Sequence, residues 1–360
     1  MSSRTVPPHT ASSRTTSTRA VWRRALVTAT ASAALAALAL PATAATAATA
    51  PTAAPAAPAA GSPAPAHAPH AGKGDDRAIT LDGSDAFPES VAADGRFVYA
   101  GSIGDGAVYR GRPGAATLEP FLPAGQDGRT QATGIKIAGN RLLVAGAFTG
   151  RFFVYSTAGK LVAAYAVPDT GEQTLVNDAA VAPDGDVYIT DSFRAVVYRI
   201  PAAEVAGPAT GAHRTLRVAY RLPDYVAGQS NGNGIVTAPD GRSLIIGYWY
   251  SGALYRLDLA TGAVRRIDAP PLPSADGIVR RGNTLYVARS VNNEVTELRL
   301  SAGSTRAAVV SERTFPGADA TTGVAVSRGR LLVTNSQMDT YLYGDPLTSP
   351  VFTVESLPLR

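Results

Sequence analysis

The chain has 360 residues, no cysteine and 33 basic against 28 acidic side chains; the missing thiols exclude disulfides, thiolate zinc sites and cysteine nucleophiles. Residues 1–70 hold five arginines and no acid, so residues 71–360 carry equal numbers of basic and acidic residues. The basic excess belongs to the N-terminal segment, and the remainder lacks the positive surplus of a nucleic-acid binder.

Residues 1–44 read as an export signal. Arg19, Arg23 and Arg24 precede the Ala/Leu-rich run Ala25–Leu40, which is too short for a membrane span and suits the apolar core of a signal. Ala42-Thr43-Ala44 supplies small residues for cleavage, and Trp22-Arg23-Arg24-Ala25-Leu26-Val27 resembles the twin-arginine export motif. The expected location is outside the cell, with no membrane attachment after cleavage. Residues 45–76 are Ala/Pro/Thr-rich without apolar periodicity and read as a flexible linker. Residues 77–360 form the expected domain, a monomer that handles a small-molecule substrate.

That domain repeats one sentence. A polar residue opens a short apolar run, a tight turn follows, and a second apolar run comes after it. The first residue of the sentence is in turn Glu89, Thr133, Asn177, Asn233, Asp276 and Thr322, spaced by 44, 44, 56, 43 and 46 residues. Repeat one continues through Phe97–Ser102, Ala107–Arg110 and Thr117–Leu122; these runs are rich in Val, Tyr and Phe and bounded by Gly, Pro or Asp. That is strand chemistry with turn punctuation. The long spacing contains Ala203–His213, which reads as a loop insertion. Four short strands per repeat of this length predict an all-β, six-bladed β-propeller. Repeat six has one strand too few, and Ala78–Leu81 is expected to supply it, closing the ring; residues 336–350 then form a long loop.

In a propeller the first strand of each blade lines the central channel, so the six opening residues converge at one end of the axis. Four of them are carboxylates or amides. An all-oxygen set suits one hard divalent cation: Ca²⁺ first, with Mg²⁺, Mn²⁺ or Zn²⁺ as alternatives. One histidine of four, His213, lies in the domain, so a Ser–His–Asp triad would depend on a single loop residue. The loops after the second strands should rim the channel. They hold Asp191, Tyr248, Trp249, Arg289 and Asn335 as candidate substrate contacts, the aromatics for stacking and Arg289 for a carboxylate or polarised oxygen.

The pattern Pro88-Glu89, Asn177-Asp178, Asn233-Gly-Ile followed by Pro239-Asp240-Gly241, and Asp276-Gly-Ile resembles the senescence marker protein/gluconolactonase family. It also resembles the wider calcium-dependent six-bladed propellers, diisopropylfluorophosphatase and paraoxonase among them. The resemblance implies that Glu89, Asn177, Asn233 and Asp276 are metal ligands. It implies further that Asp276 is the catalytic base or nucleophile of a metal-dependent hydrolase opening a sugar lactone or related ester. The chain departs from the family at Glu89-Ser90-Val91, where Glu-Gly-Pro is usual, and at Gly247-Tyr248-Trp249-Tyr250, where Asp-Ser often ends the second strand. A non-catalytic binding module with a structural metal, and a strictosidine-synthase-like non-hydrolytic enzyme, are the other readings.

Overall fold

The computed structural model describes residues 76–359; the expected export signal and nearly all of the linker lie outside the described residues. The described chain is almost entirely strand. β1 (Arg77–Leu81) is followed by a first antiparallel unit of β2 (Pro88–Ala93), β3 (Val98–Ser102), β4 (Val108–Gly111) and β5 (Thr117–Leu122). The second holds β6 (Ile135–Ala138), β7 (Arg141–Ala145), β8 (Arg151–Ser156) and β9 (Leu161–Ala166). Next come β10 (Val176–Val181), β11 (Val187–Asp191) and β12 (Val196–Ile200), then the short helix α1 (Ala202–Val205), β13 (Ala212–Thr215) and β14 (Arg217–Arg221). β15 (Gly232–Thr237), β16 (Ser243–Tyr248), β17 (Leu254–Asp258) and β18 (Val264–Arg266) form another unit, as do β19 (Ala275–Arg281), β20 (Thr284–Arg289), β21 (Glu294–Leu300) and β22 (Ala307–Arg313). β23 (Val324–Ser327), β24 (Arg330–Asn335), the helix α2 (Met338–Tyr343) and β25 (Thr353–Pro358) complete the chain.

β1 pairs antiparallel with β25 from Arg77↔Ser356 to Thr80↔Thr353, and touches β5 in parallel at Thr80↔Thr117 and Leu81↔Leu118. The first and last units therefore merge into one eight-stranded sheet. The first strands of the units neighbour one another in a closed circuit, β2 to β6, β10, β15, β19, β23 and back to β2. The hydrophobic core lies between the faces of adjacent units: Tyr99 and Val108 pack with Ile135, Leu142 and Phe153, and Tyr188 and Val197 with Ile235, Ile246 and Tyr255. Each such burial contributes roughly 1.5–3 kcal/mol.

The turn chemistry is visible in the repeated Pro-Asp-Gly. Asp184 and Asp240 accept the backbone N–H two residues on, at 3.0 and 2.9 Å, and Gly185 and Gly241 sit at φ 89° and 66°. The insertion at Ala203–His213 is not a plain loop. It forms α1 and β13, and β13 lies parallel along the outer edge of β9, where it caps otherwise unpaired backbone. Residues 336–350 also depart from expectation, since α2 is folded within them. No described helix is long and apolar enough to cross a membrane.

Candidate metal centre

Glu89, Asn177, Asn233 and Asp276 are each the second residue of the first strand in their unit. The ladder to the second strand shifts register at each of these points, between Pro88 and Ser90, Val176 and Ala179, Gly232 and Ile235, and Ala275 and Ile278. Such a bulge frees a residue from pairing and re-aims its side chain. The four side chains meet in one small cavity on the axis and also floor a larger one of about 330 Å³. Close approach is secured by the glycines that follow. A Cβ on Gly234 would stand 2.2 Å from the Asp276 carbonyl oxygen, and one on Gly323 2.8 Å from that of Glu89. Where the glycine is absent, Ser90 and Asp178 instead accept the N–H of Ile135 and Ile235 in the next unit.

All four candidate ligands are more than nine-tenths buried. Burial pushes Asp276 up to about 7, against hydrogen bonds from Ser290 and Asn233 that favour its charged form. Burial also holds the Glu89 carboxyl well above its ordinary value, with the charges of Asp276 and Asp178 adding to the effect. Lys136 Nζ lies 3.0 Å from Asp178 Oδ1 and neutralises that third carboxylate. Asn177 donates its amide to Ser192 Oγ at 3.1 Å, leaving its oxygen as the remaining polar atom. The buried Asn233 Oδ1 has no hydrogen-bond partner, a deficit of about 1–3 kcal/mol unless a ligand fills it. Two crowded carboxylates and an orphaned amide oxygen fit a hard divalent cation. No group of three or more His, Cys, Asp or Glu is placed to hold a metal among the described residues, so amide oxygens are essential to this set. His213 lies on the exposed edge strand β13.

Of the candidate substrate contacts, Trp249 lines the larger cavity, its Nε1 donating to Ser290 Oγ at 2.9 Å. Asp191, Tyr248, Arg289 and Asn335 do not line that cavity. Asp191 accepts from Thr174 Oγ1 at 2.5 Å, the Leu175 N–H at 2.9 Å and Tyr198 OH at 3.1 Å, which ties a strand end to its neighbours. Tyr248 packs on Tyr255 with ring centroids 4.5 Å apart and donates to the Pro223 carbonyl. Arg289 pairs with Glu294 at 2.5 Å and Glu312 at 3.4 Å. Asn335 accepts the Asp319 N–H at 2.7 Å and donates to the Gly317 carbonyl, so it shapes the loop that carries Asp319.

Sequence reasoning missed Ser290, which links Trp249 to Asp276, and the roof of the cavity. Asp319, Met338, Asp339, Leu342, Tyr343 and Asp345 all line it. Ser290 stood one residue beyond Arg289, within reach of the same loop argument. The six-residue α2 is too short to leave a periodic signal.

No protein-family model matches the chain, and no curated protein matches it in sequence. Solved structures do resemble it. The Malassezia sympodialis allergen Mala s 1 superposes with a TM-score of 0.59 at 15% identity, over 79% of this chain and 96% of that one. XC5397 from Xanthomonas campestris, described as a gluconolactonase, gives 0.54 at 17% over 79% and 91%. A streptogramin B lyase gives 0.54 at 13% over 79% and 98%. At these identities the likeness is one of fold: an all-β, propeller-type architecture.

Proposed function

We propose that the chain is an exported six-bladed propeller, completed by β1 in its last blade, that binds one divalent cation and hydrolyses a lactone or related ester. Ca²⁺ is the first candidate ion, held by Glu89, Asn177, Asn233 and Asp276. The observation that carries this reading is the convergence of those four oxygen-bearing side chains, from four bulged strands, at the floor of one cavity. A divalent cation bound there would supply Lewis-acid polarisation of a carbonyl oxygen.

The chain's own residues supply the rest. Asp276, buried at the floor of the cavity, is placed to take a proton from water held there. The water oxygen bonds to the carbonyl carbon, the C–O bond to the leaving oxygen breaks, and the proton taken by Asp276 passes to that oxygen. Ser290 and Asn233 hold Asp276 in place through hydrogen bonds. Trp249, Phe148, Leu175 and Ile103 make the walls apolar, which keeps bulk water from the reacting carbonyl.

The test combines metal analysis of the purified protein with a lactone and ester panel followed by pH-stat in H₂¹⁸O. Stoichiometric cation with turnover and one ¹⁸O in the product acid is the expected outcome. Cation without turnover of any lactone or ester supports a binding module, and turnover without ¹⁸O incorporation supports a non-hydrolytic enzyme.

A further inference from the structure

The cavity above the axis is charged in one sense. Asp319, Asp339 and Asp345 stand in its upper wall, and its lining contains no Lys, Arg or His. None of the ion pairs among the described residues reaches these three carboxylates. They are built in rather than loosely scattered. Asp319 has its backbone fixed by Asn335, and its Oδ2 accepts from Thr348 Oγ1 at 2.6 Å. Asp339 stands in the first turn of α2 with a buried Oδ1 that has no hydrogen-bond partner. Its carboxyl is raised first by burial, against the Thr340 backbone N–H that lowers it, and the charges of Asp319 and Asp345 add to the rise. Holding like charges together is unfavourable until a cation joins them.

One further feature points to a ligand rather than to a solvated acidic face. Between floor and roof the wall is apolar and aromatic, through Phe148, Leu175, Trp249 and Leu342, and Val291 at the lip is 71% exposed. An aromatic face beside carboxylates is the standard chemistry for an organic ammonium group.

We propose that this cavity selects an ester or lactone carrying a protonated amine or quaternary ammonium beside an apolar ring or acyl body. The cationic group lies against Asp319, Asp339 and Asp345, the apolar body against Trp249 and Phe148, and the ester carbonyl at the axis. Carboxylate- and phosphate-bearing substrates, sugar acids and their phosphates included, are turned away by the same charges. The placement of the ester rests on the hydrolase reading; the binding of the cation does not.

The experiment has two arms, both on the full chain saturated with Ca²⁺. In the first, phenyltrimethylammonium, benzyl alcohol and benzoate are titrated by calorimetry and by quenching of Trp249, with Trp249→Phe to subtract Trp22. The ammonium compound should bind at least about tenfold more tightly than the alcohol, and benzoate more weakly still, with the spread shrinking as added salt shortens the ~8 Å screening length of physiological buffer. The combined variant Asp319→Asn, Asp339→Asn, Asp345→Asn should erase the spread. Asp345→Asn alone, at an exposed position, should reduce it and guards against misfolding of the triple variant. Equal binding of the three compounds, or preference for benzoate, overturns the inference. In the second arm, kcat/KM is compared for phenyl acetates bearing aminomethyl, hydrogen or carboxylate at the ring. Ester turnover without charge preference sinks the inference and leaves the hydrolase reading standing. Charge-selective binding with no ester turned over does the reverse.

Discussion

Six residues stand at the same step of the repeated sequence, and the structure uses them in two ways. Thr133 Oγ1 lies 3.0 and 3.1 Å from the carbonyls of Val176 and Asn177, and Thr322 Oγ1 donates to the Glu89 carbonyl at 2.6 Å. Each threonine thus holds the backbone of the next opening residue round the ring. Glu89, Asn177, Asn233 and Asp276 instead bring carboxylate and amide groups to the axis cavity, whose lining Thr322 shares. A hydroxyl on a short, β-branched side chain is confined to the neighbouring strand, whereas a longer carboxylate or amide projects beyond it. One set closes the ring, and the other uses the closed ring as a frame.

The sharpest break between the two sets is Asp276→Asn. The substitution keeps the shape, removes the charge and leaves the threonine contacts untouched. In the proposed mechanism, loss of a general base would lower turnover by about 10²–10⁴-fold, and loss of a charged ligand would weaken Ca²⁺ binding as well. Rates at saturating Ca²⁺ separate the two effects. A variant with wild-type turnover at high Ca²⁺ would remove Asp276 from the chemistry and leave it a ligand alone.

A smaller effect comes from pH. Asp276 is raised to about 7 and Glu89 is raised well above its ordinary value in the ion-free site. For raised carboxyls the folded state holds the proton more tightly. The contribution of Asp276 is therefore fully present below its unfolded value near ~4 and is lost as pH rises through about 7, and that of Glu89 is lost in the same direction. A bound cation favours the charged forms and relieves that loss. Chelated protein should then melt at progressively lower temperature from about pH 5 to about pH 8 while Ca²⁺-saturated protein does not, the gap growing to a few kcal/mol. Parallel melting curves across that range would show that the carboxylates do not meet at a cation.

Much of this frame was legible in the sequence because it is periodic. The opening residues, the Pro-Asp-Gly turns and the strand runs recur at nearly constant spacing, and repetition turns a weak local signal into a strong one. The same register put Ala78–Leu81 forward as the partner of the last repeat; β1 pairs with β25 and also touches β5. What escaped was whatever broke the period. Asp191 and Tyr248 occupy loop-proximal positions that suggested a rim, and their polar atoms bond the backbone of Leu175 and Pro223 in the connections beside them. Nothing in the spacing distinguishes a strand-end carboxylate that ties down backbone from one that faces a ligand; that depends on which backbone N–H lies within reach. The roof over the cavity is the clearest omission. Asp319 and α2 belong to irregular connections whose path is set by tertiary packing, as in the contact of Tyr341 with Phe87 at 5.5 Å between ring centroids.

The smallest expected effect tests the threonine half of the comparison. Thr322→Val keeps the β-branched shape and removes the hydroxyl that serves the Glu89 carbonyl and meets Thr334 Oγ1 at 2.9 Å. Leaving a buried carbonyl short of a partner costs about 1–3 kcal/mol, and in a domain of this size each kcal/mol lowers Tm by about 2–4 °C. The Ca²⁺ Kd should stay within about threefold of wild type, because no oxygen of the cradle is removed. Denaturant midpoints and calorimetric titration read the two quantities separately. If Thr322→Val removed Ca²⁺ binding as thoroughly as Asp276→Asn, the threonine would be setting the position of Glu89 rather than merely closing the ring. The six opening residues would then act as one coupled unit, not as a frame and its ligands.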